Sequence, residues 1–203
     1  MHLDIVLHMN QEKDGVVLCF LGDGALNEGE FHESMNLASI WNLPVVFFVE
    51  NNLYGMGSPV SEVCAAKEIY KISDAYDMPG CKVDGMNVME VWETTQQVVD
   101  WVREDNGPYF IEGLTYRFRG HSMADPSDYR KKSEEDYWRE RDPLITFRAH
   151  LQDVRGVSDK ELNFVDEEIE QIVEDSLSFA RESPEPGLET LTDNIYYETT
   201  ETG

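Results

Sequence analysis

Residues Gly22–Asn52 read GDGALNEGEFHESMNLASIWNLPVVFFVENN. The stretch begins directly after one apolar run, VVLCFL at Val16–Leu21, and contains a second, VVFFV at Val45–Val49. Short continuous apolar runs of this kind are typical of strands buried in a parallel sheet. Between them, apolar residues spaced by three and four positions predict a helix over Asn27–Leu43. This apolar stripe consists of Phe31, Met35, Ala38 and Trp41.

The rest of the chain continues the alternation of strands and helices. Further strands are predicted at Lys82–Val83 and Tyr109–Tyr116, and further helices at Glu62–Tyr76 and Asn87–Arg103. The apolar face predicted for the helix over Asn87–Arg103 consists of Val88, Val91, Trp92, Thr95, Val98, Val99 and Val102. Alternation of this kind predicts an α/β fold with a mainly parallel sheet flanked by helices. We expect an α/β domain over residues 1–142 and a helical carboxyl-terminal extension of the same domain over residues 143–203.

Composition limits the classes of function. The chain has 203 residues and a net charge of −25, which argues against nucleic-acid binding because the phosphate backbone would be repelled. High-salt adaptation, a basic partner protein and a merely well-solvated surface all remain open as explanations of the charge. No apolar run approaches the roughly 18 residues that a membrane helix needs. The three cysteines, Cys19, Cys64 and Cys81, form no C-x-x-C pair, which favours free thiols in a reducing compartment.

Two polar motifs follow the first two predicted strands. Gly22-Asp23-Gly24 comes directly after the first strand, and Asn51-Asn52 comes after the second. Ligands of open α/β sheets bind at the carboxyl ends of the strands, so we expect the two motifs to face one ligand. Asp23 and Asn52 offer hard oxygen donors of the kind that Mg²⁺ prefers, and glycines let the backbone approach a phosphate closely. The sequence therefore indicates a Mg²⁺-diphosphate site, with the following helix amino terminus as a seat for phosphate.

Three alternatives can be compared with this interpretation. A dinucleotide fingerprint needs G-x-G-x-x-G, and the spacing of Gly22, Gly24 and Gly29 does not match it. An EF-hand starting at Asp23 would need oxygen donors where Ala25 and Ser34 stand. A tight strand–helix turn in which Asp23 only caps the helix remains open for Gly-Asp-Gly taken alone.

The spacing and surroundings of these motifs resemble a known family. Gly-Asp-Gly, 26 residues and then Asn-Asn is the pattern of thiamine-diphosphate enzymes. The longer stretch Gly22–Gly57, VDGMNV at Val83–Val88 and TYRFRGHSMADPSDYR at Thr115–Arg130 resemble the alpha subunit of the E1 component of 2-oxo acid dehydrogenases. The resemblance runs from about Gly15 to about Tyr197 and is greatest to the pyruvate-specific members. It implies the thiamine-diphosphate-binding fold.

The resemblance also implies roles for individual residues. Mg²⁺ would be bound by the Asp23 carboxylate, the Asn52 side-chain oxygen and the Tyr54 main-chain carbonyl, with Asn51 as a neighbour only. His121 would face the active site as the catalytic residue and contact the cofactor. The Gly-His-Ser loop around it would be positioned by Arg117 and Arg119, and Ser122 matches a position that is phosphorylated in eukaryotic relatives. The diphosphate would be contacted by Gly22, Gly24 and Ala25.

At the level of the whole protein, the resemblance implies thiamine diphosphate and Mg²⁺ as cofactors. It implies oxidative decarboxylation of pyruvate, acyl transfer to a lipoyl-bearing E2 partner, and an E1 beta subunit in an α2β2 tetramer. An acetoin or branched-chain 2-oxo acid dehydrogenase alpha subunit and a truncated, noncatalytic interaction domain are the alternatives. The family's alpha chains carry a long segment before the first motif, so this chain resembles their carboxyl-terminal half and we expect no activity from it alone. The expected location is the prokaryotic cytoplasm, with the mitochondrial matrix as the alternative.

Overall fold

The computed structural model describes residues 15–193, so the outer ends of the two predicted regions, residues 1–14 and 194–203, lie outside the described residues. The strands are β1 (Val17–Gly22), β2 (Val45–Asn51), β3 (Tyr54–Gly55), β4 (Ser58–Pro59), β5 (Gly80–Asp84) and β6 (Tyr109–Leu114). The α-helices are α1 (Gly29–Ile40), α2 (Val60–Val63), α3 (Val88–Trp101), α4 (Lys132–Arg139), α5 (Pro143–Arg155) and α6 (Asp159–Glu182).

Four strands form one parallel sheet in the order β1-β2-β6-β5, which confirms the predicted fold class. Strand β2 pairs in parallel with both β1 and β6, with Gly22 opposite Glu50 and Asn51 opposite Leu114. The carboxyl ends of β1, β2 and β6 therefore meet at one edge of the sheet. This register brings the residues after Gly22, Asn51 and Leu114 together, as the sequence predicts for its two polar motifs.

The apolar run of β2 is continuous because both faces of the sheet are covered. Val45, Phe47 and Val49 belong to the core cluster that contains Met35 of α1. Their neighbours on the strand, Val46 and Phe48, belong to the opposite cluster, which also contains the α3 residue Val98 and Val102 just after that helix. Burial of apolar surface stabilises by about 25 cal/mol per Å², so these two layers hold the sheet on which the site is built.

The predicted helix after the glycine turn begins later than expected. A 3-10 helical turn over Asp23–Asn27 follows β1, and α1 starts only at Gly29. The prediction that Trp41 belongs to the buried stripe is wrong, because Trp41 is 50% exposed. It is the C-cap residue of α1, where the helix has ended and its apolar stripe no longer faces the sheet.

The single helix predicted over Glu62–Tyr76 is also wrong. Only α2 and a 3-10 helix over Ile69–Tyr76 form, with extended backbone at Cys64 and Glu68. Ile69 is buried in the core, and the backbone N–H of Tyr70 donates to the Glu112 carboxylate. Tertiary contacts of this kind override a helical propensity that is worth only tenths of a kcal/mol per residue.

Helix α3 follows the prediction at its start, where the Asn87 side chain accepts a hydrogen bond from the Glu90 N–H. Its predicted apolar face is too wide. Val98 and Val102 are buried against the sheet, whereas Trp92 is 60% exposed. A helix has 3.6 residues per turn, which places Trp92 about 100° around the axis from its neighbour Val91.

The chain divides into two compact units, and the described residues fall into 15–147 and 148–193. In the second unit, Ser158 and Glu161 form a capping box at the start of α6. Four apolar residues of this helix, Ile169, Ile172, Val173 and Leu177, are all more than 40% exposed. That residues 143–203 extend the same domain stays a prediction. No helix within the described part of the chain is long and apolar enough to cross a membrane.

Candidate functional site

A cavity of about 530 Å³ lies at the carboxyl edge of the sheet. It is lined by all seven residues that the sequence analysis assigned to the cofactor or metal: Gly22, Asp23, Gly24, Ala25, Asn52, Tyr54 and His121. Arg117 also lines it. The residues come from separate segments of the chain, and the register of β1, β2 and β6 brings them together.

Asp23 is the charged centre of the cavity. It is only 4% exposed, and its Oδ2 atom is buried with no hydrogen-bond partner in the described structure. Burial raises the pKa of its carboxyl above the ordinary value of 3.8, although backbone N–H groups of Asp23 and Asn52 and the charge of Arg117 act in the opposite direction. A buried oxygen without a partner is costly, so this carboxylate is arranged to bind something other than the protein.

Asn52 presents a second oxygen of the same kind. Its Oδ1 atom is buried and has no hydrogen-bond partner among residues 15–193. Its own backbone N–H donates to the Glu50 carbonyl at 3.0 Å, which closes a tight turn at the end of β2. Two unpartnered oxygens, one charged and one neutral, therefore belong to residues that line the same cavity.

Tyr54 is placed by the turn that follows. Its main-chain carbonyl, the third predicted metal ligand, accepts a hydrogen bond from Arg117 Nη2 at 3.1 Å. A carbonyl oxygen has two lone pairs, so this bond leaves one free for a cation. The Tyr54 hydroxyl donates to Glu134 at 2.9 Å, and burial together with this bond raises the pKa of Tyr54 to about 12.

Two glycine backbones lie against each other at the side of the cavity. A Cβ added at Gly55 would lie 3.4 Å from the Cα of Gly24, and one added at Gly24 would lie 3.6 Å from the Cα of Gly55. The hairpin of β3 and β4 therefore rests directly on the turn that carries Asp23. Side chains at either glycine would fill space beside the N–H groups that the sequence assigns to a diphosphate.

The loop over Arg117–Arg130 closes the cavity. Arg117 donates from Nη1 to Nδ1 of His121 at 2.9 Å, and from Nη2 to the Met56 carbonyl at 3.2 Å. Because a guanidinium can only donate, Nδ1 of His121 accepts, and the neutral ring carries its hydrogen on Nε2. Among the residues that line the cavity, Arg117 thus carries a permanent positive charge and His121 has an N–H donor.

Asp125 holds this loop in shape. Its carboxylate accepts hydrogen bonds from the N–H of His121 at 2.7 Å, the N–H of Ser127 at 2.9 Å and the Tyr129 hydroxyl at 2.8 Å. These three donors lower the pKa of Asp125 to about 2. These three contacts are internal to the loop and hold its middle part in shape.

Arg130 anchors the far end of the loop and was missed by the sequence analysis. Its side chain is buried, and the guanidinium lies 5.1 to 5.3 Å from the ring centres of Tyr54, Tyr116 and Tyr129. It also donates to the Arg117 carbonyl, so the last residue of the loop is bonded to the first. Cation–π contacts of desolvated cations are worth about 2 kcal/mol or more, and here the ring of Tyr54 lies well outside the loop in sequence.

The place of Arg117 was only partly anticipated. The family resemblance implied that Arg117 positions the loop, whereas its guanidinium also lies on the cavity wall beside His121. Its Nε is buried without a partner in the described structure. An arginine on the loop after a strand's carboxyl end, opposite glycines, was the available signal for an anion-binding residue.

The donor set fits a divalent cation with a diphosphate. One buried carboxylate, one neutral side-chain oxygen and one carbonyl suit Mg²⁺, which takes the rest of its shell from water and phosphate oxygens. A cluster of three or more His, Cys, Asp or Glu side chains that could hold a metal is not found within residues 15–193.

Comparison with known proteins identifies the family of the chain. The family model described as "Dehydrogenase E1 component" matches residues 4–189, which is most of the chain. The chain belongs to the dehydrogenase E1 component family. This finding confirms the resemblance that the sequence motifs indicated.

Three relatives of this E1-family chain share one name. It is 41% identical over 176 residues to the protein named pyruvate dehydrogenase E1 component subunit alpha of Porphyra purpurea, covering 87% of this chain and 51% of that one. The protein of the same name from Rhizobium meliloti (strain 1021) is 42% identical over 183 residues, covering 90% and 53%. That from Rickettsia conorii is 37% identical over 181 residues, covering 89% and 56%. The chain thus spans about half the length of these relatives.

Proposed function

We propose that this E1-family chain provides the diphosphate- and metal-binding part of an E1 alpha-type subunit. The assembled enzyme would use thiamine diphosphate and Mg²⁺ for the oxidative decarboxylation of pyruvate and pass the acyl group to a lipoyl group on an E2 partner. The observation that carries the proposal is the pair of buried oxygens without partners, Asp23 Oδ2 and Asn52 Oδ1, on residues that share one cavity with Arg117.

Each part of the cofactor's anionic end has a matching group. Mg²⁺ would be held by Asp23, Asn52 and the Tyr54 carbonyl. The diphosphate would meet the backbone at Gly22, Gly24 and Ala25. Bound thiamine diphosphate supplies the carbon nucleophile and electron sink for decarboxylation, so the protein's own part is binding and orientation.

His121 has a defined protonation pattern for its proposed role. Arg117 occupies its Nδ1, so the Nε2–H remains to donate to an anionic oxygen of the cofactor or of the reacting group. Asp125 fixes the backbone of His121 from the other side, at 2.7 Å. A donor held from two sides loses little conformational entropy when it binds a charged oxygen.

The proposed partners are an E1 beta subunit, in an α2β2 tetramer, and a lipoyl-bearing E2. The names of the relatives support this, because a subunit called alpha belongs to an assembly of unlike chains. The proposed setting is the prokaryotic cytoplasm, with the mitochondrial matrix as the alternative. Phosphorylation of Ser122 and the binding of nucleic acid are not part of the proposed function.

Two readouts test the proposal. The chain should be combined with an E1 beta subunit and a lipoyl domain, and both CO₂ release and acylation of the lipoyl group should be measured with pyruvate, a branched-chain 2-oxo acid and acetoin. Preference for pyruvate is the expected result. Turnover of one of the other two substrates alone would assign the chain to that dehydrogenase. Binding of the beta subunit without any turnover, even when thiamine diphosphate binds, would favour a noncatalytic interaction domain.

A further inference from the structure

A charged side chain lies in the middle of the sheet, where the proposed function does not use it. Glu112 is the fourth residue of β6 and is only 1% exposed. Its Oε1 accepts a hydrogen bond from Asn51 Nδ2 at 2.8 Å, and its Oε2 accepts one from the Tyr70 N–H at 3.0 Å. The Lys82 ammonium lies 3.8 Å from Oε1. Acidic residues are almost never fully buried unless they are paired, so this set of bonds is specific.

The carboxylate of Glu112 determines which way the Asn51 amide points. A carboxylate only accepts hydrogen bonds, so Asn51 has to present its NH₂ group to Glu112. The Asn51 Oδ1 then faces along the chain and accepts from the Leu53 N–H at 3.3 Å. The Asn51 carbonyl accepts from the Thr115 N–H at 2.9 Å, which fixes the backbone of the same residue.

Leu53 needs this support. Its φ is +73°, in the left-handed region that residues with a bulky side chain rarely adopt. Its carbonyl accepts from the Val60 N–H at 2.9 Å, so both of its backbone polar groups are bonded. Leu53 stands between Asn52 and Tyr54, and its dihedral angles set the direction in which both residues point. A relaxed Leu53 would therefore turn the Asn52 side chain and the Tyr54 carbonyl away from each other.

We propose that Glu112 and Asn51 are positioning residues for the cation at this site. Glu112 orients the Asn51 amide, Asn51 holds Leu53 in its left-handed conformation, and this conformation aims the Asn52 Oδ1 and the Tyr54 carbonyl at one point. The inference rests on the proposed function, in which these two oxygens bind the divalent cation. It gives Asn51 a defined task, where the sequence analysis made it a neighbour only.

Polarity of the hydrogen bonds provides the test. In Glu112→Gln, the amide has one acceptor oxygen and one NH₂ group that can only donate. The Asn51 NH₂ group and the Tyr70 N–H both need an acceptor, so an N–H group faces an N–H group at one of the two residues. In Asn51→Asp, two carboxylates face each other. In the double variant Asn51→Asp/Glu112→Gln, the new amide donates to the new carboxylate and accepts from Tyr70, and the second oxygen of that carboxylate accepts from Leu53. Every hydrogen bond of the original set is then restored, but the side chain at position 112 now donates to the side chain at position 51 instead of accepting from it.

The first measurement needs no ligand. Hydrogen exchange of the Leu53 amide, relative to that of Val49 in the centre of β2, should be at least tenfold faster in Glu112→Gln than in the unchanged chain. In the double variant, this relative exchange rate should return to within about threefold of that of the unchanged chain. The expected tenfold change is about what the loss of one hydrogen bond produces. Ile111→Val is the matched control, because Ile111 is the fully buried neighbour of Glu112 on β6 and packs in the core cluster on the α3 side of the sheet. It should leave the ratio unchanged.

The second measurement uses Mn²⁺ as the probe, in the presence of thiamine diphosphate. Its affinity should fall at least tenfold in Glu112→Gln, recover in the double variant and stay unchanged in Ile111→Val. Normal Mn²⁺ binding by Glu112→Gln, or no recovery in the double variant, would overturn the positioning role alone. An unchanged chain that binds no Mn²⁺ with thiamine diphosphate would overturn the proposed function, whatever the exchange of Leu53 shows.

Discussion

Arg117 donates one hydrogen bond to the Tyr54 carbonyl, at 3.1 Å, and another to Nδ1 of His121, at 2.9 Å. One guanidinium thus joins the predicted metal turn to the predicted catalytic loop. Its planar fork of donors makes both bonds at once, which a lysine cannot do with the same geometry. The two halves of the site are therefore coupled through a single side chain.

We expect Arg117→Lys to weaken binding of thiamine diphosphate by about tenfold or more, because the charge is kept but the fork is lost. Isothermal calorimetry at fixed Mg²⁺ concentration measures the change. Arg155→Lys is the control, since Arg155 is exposed at the end of α5 and has no role in the proposed site. Equal affinities for the Arg117 and Arg155 variants would remove Arg117 from the anion site.

Asp125 makes the loop sensitive to acid. Its pKa is lowered to about 2 by the donors from His121, Ser127 and Tyr129, so its contribution is complete above the ordinary value of 3.8 and is lost as pH falls toward 2. Exchange protection of the His121 and Ser127 amides should decrease over this range. In Asp125→Asn the same amides should exchange faster at neutral pH.

The matched control for that experiment is Asp128→Asn, which removes the same charge from an exposed position in the same loop. Its amide exchange should follow the unchanged chain. If the Asp125 and Asp128 variants exchange alike at pH 7, the loop does not depend on the Asp125 hydrogen bonds.

The buried Asp23 carboxylate should lower the stability of the chain when no ligand is bound. Burial raises its pKa above 3.8, so the charged form is disfavoured in the folded state. The carboxyl is neutral in both the folded and unfolded states at pH well below 3.8, and the cost grows as pH rises above 3.8 until it is complete above the raised pKa. Asp23→Asn should therefore melt at a higher temperature than the unchanged chain at pH 7, and the difference should shrink below pH 3.8.

Thermal melts followed by circular dichroism between about pH 3 and pH 8, without cofactor, measure this difference. A variant that melts at or below the temperature of the unchanged chain at neutral pH would mean that the Asp23 carboxylate is already satisfied within the fold. Taken with the loss of metal binding expected below, a stabilised variant would show that the site holds an unfavourable charge for the sake of its ligand.

Assembly should stabilise the chain by mass action. A partner that binds only the folded form adds RT ln(1 + [L]/Kd), or about 2.7 kcal/mol at a hundredfold excess over Kd. We therefore expect the melting temperature to rise with the concentration of an E1 beta subunit. A melting temperature that does not depend on that concentration would contradict the proposed partner.

The sequence predicted the sheet and the grouping of the site for a simple physical reason. Parallel strands end at one edge, so the residues after Gly22 and Asn51 had to meet once both apolar runs were recognised as neighbouring strands. The family resemblance then supplied His121, which lies on a loop whose path no local pattern determines. The structure places it beside the same cavity.

What the sequence did not predict depends on contacts between distant residues. Glu112 breaks an apolar strand, yet nothing nearby indicates that it bonds to Asn51, 61 positions earlier. Arg130 packs on the ring of Tyr54, and no local sequence pattern indicates this contact or its contacts with the other two rings. The apolar periodicity also overstated the burial of Trp41 and Trp92. Trp41 follows the end of α1, and Trp92 lies on a side of α3 that does not face the sheet, so both are exposed.

The central claim is that Asp23 is the only charged protein ligand, within residues 15–193, of a cation bound together with thiamine diphosphate. The most direct measurement is calorimetric titration of thiamine diphosphate and Mg²⁺ into the unchanged chain, Asp23→Asn and Glu50→Gln, which removes the same charge from an exposed position at the end of β2. Binding should weaken more than tenfold, or about 1.4 kcal/mol, in Asp23→Asn and stay unchanged in Glu50→Gln. Equal binding by Asp23→Asn and the unchanged chain would contradict the claim.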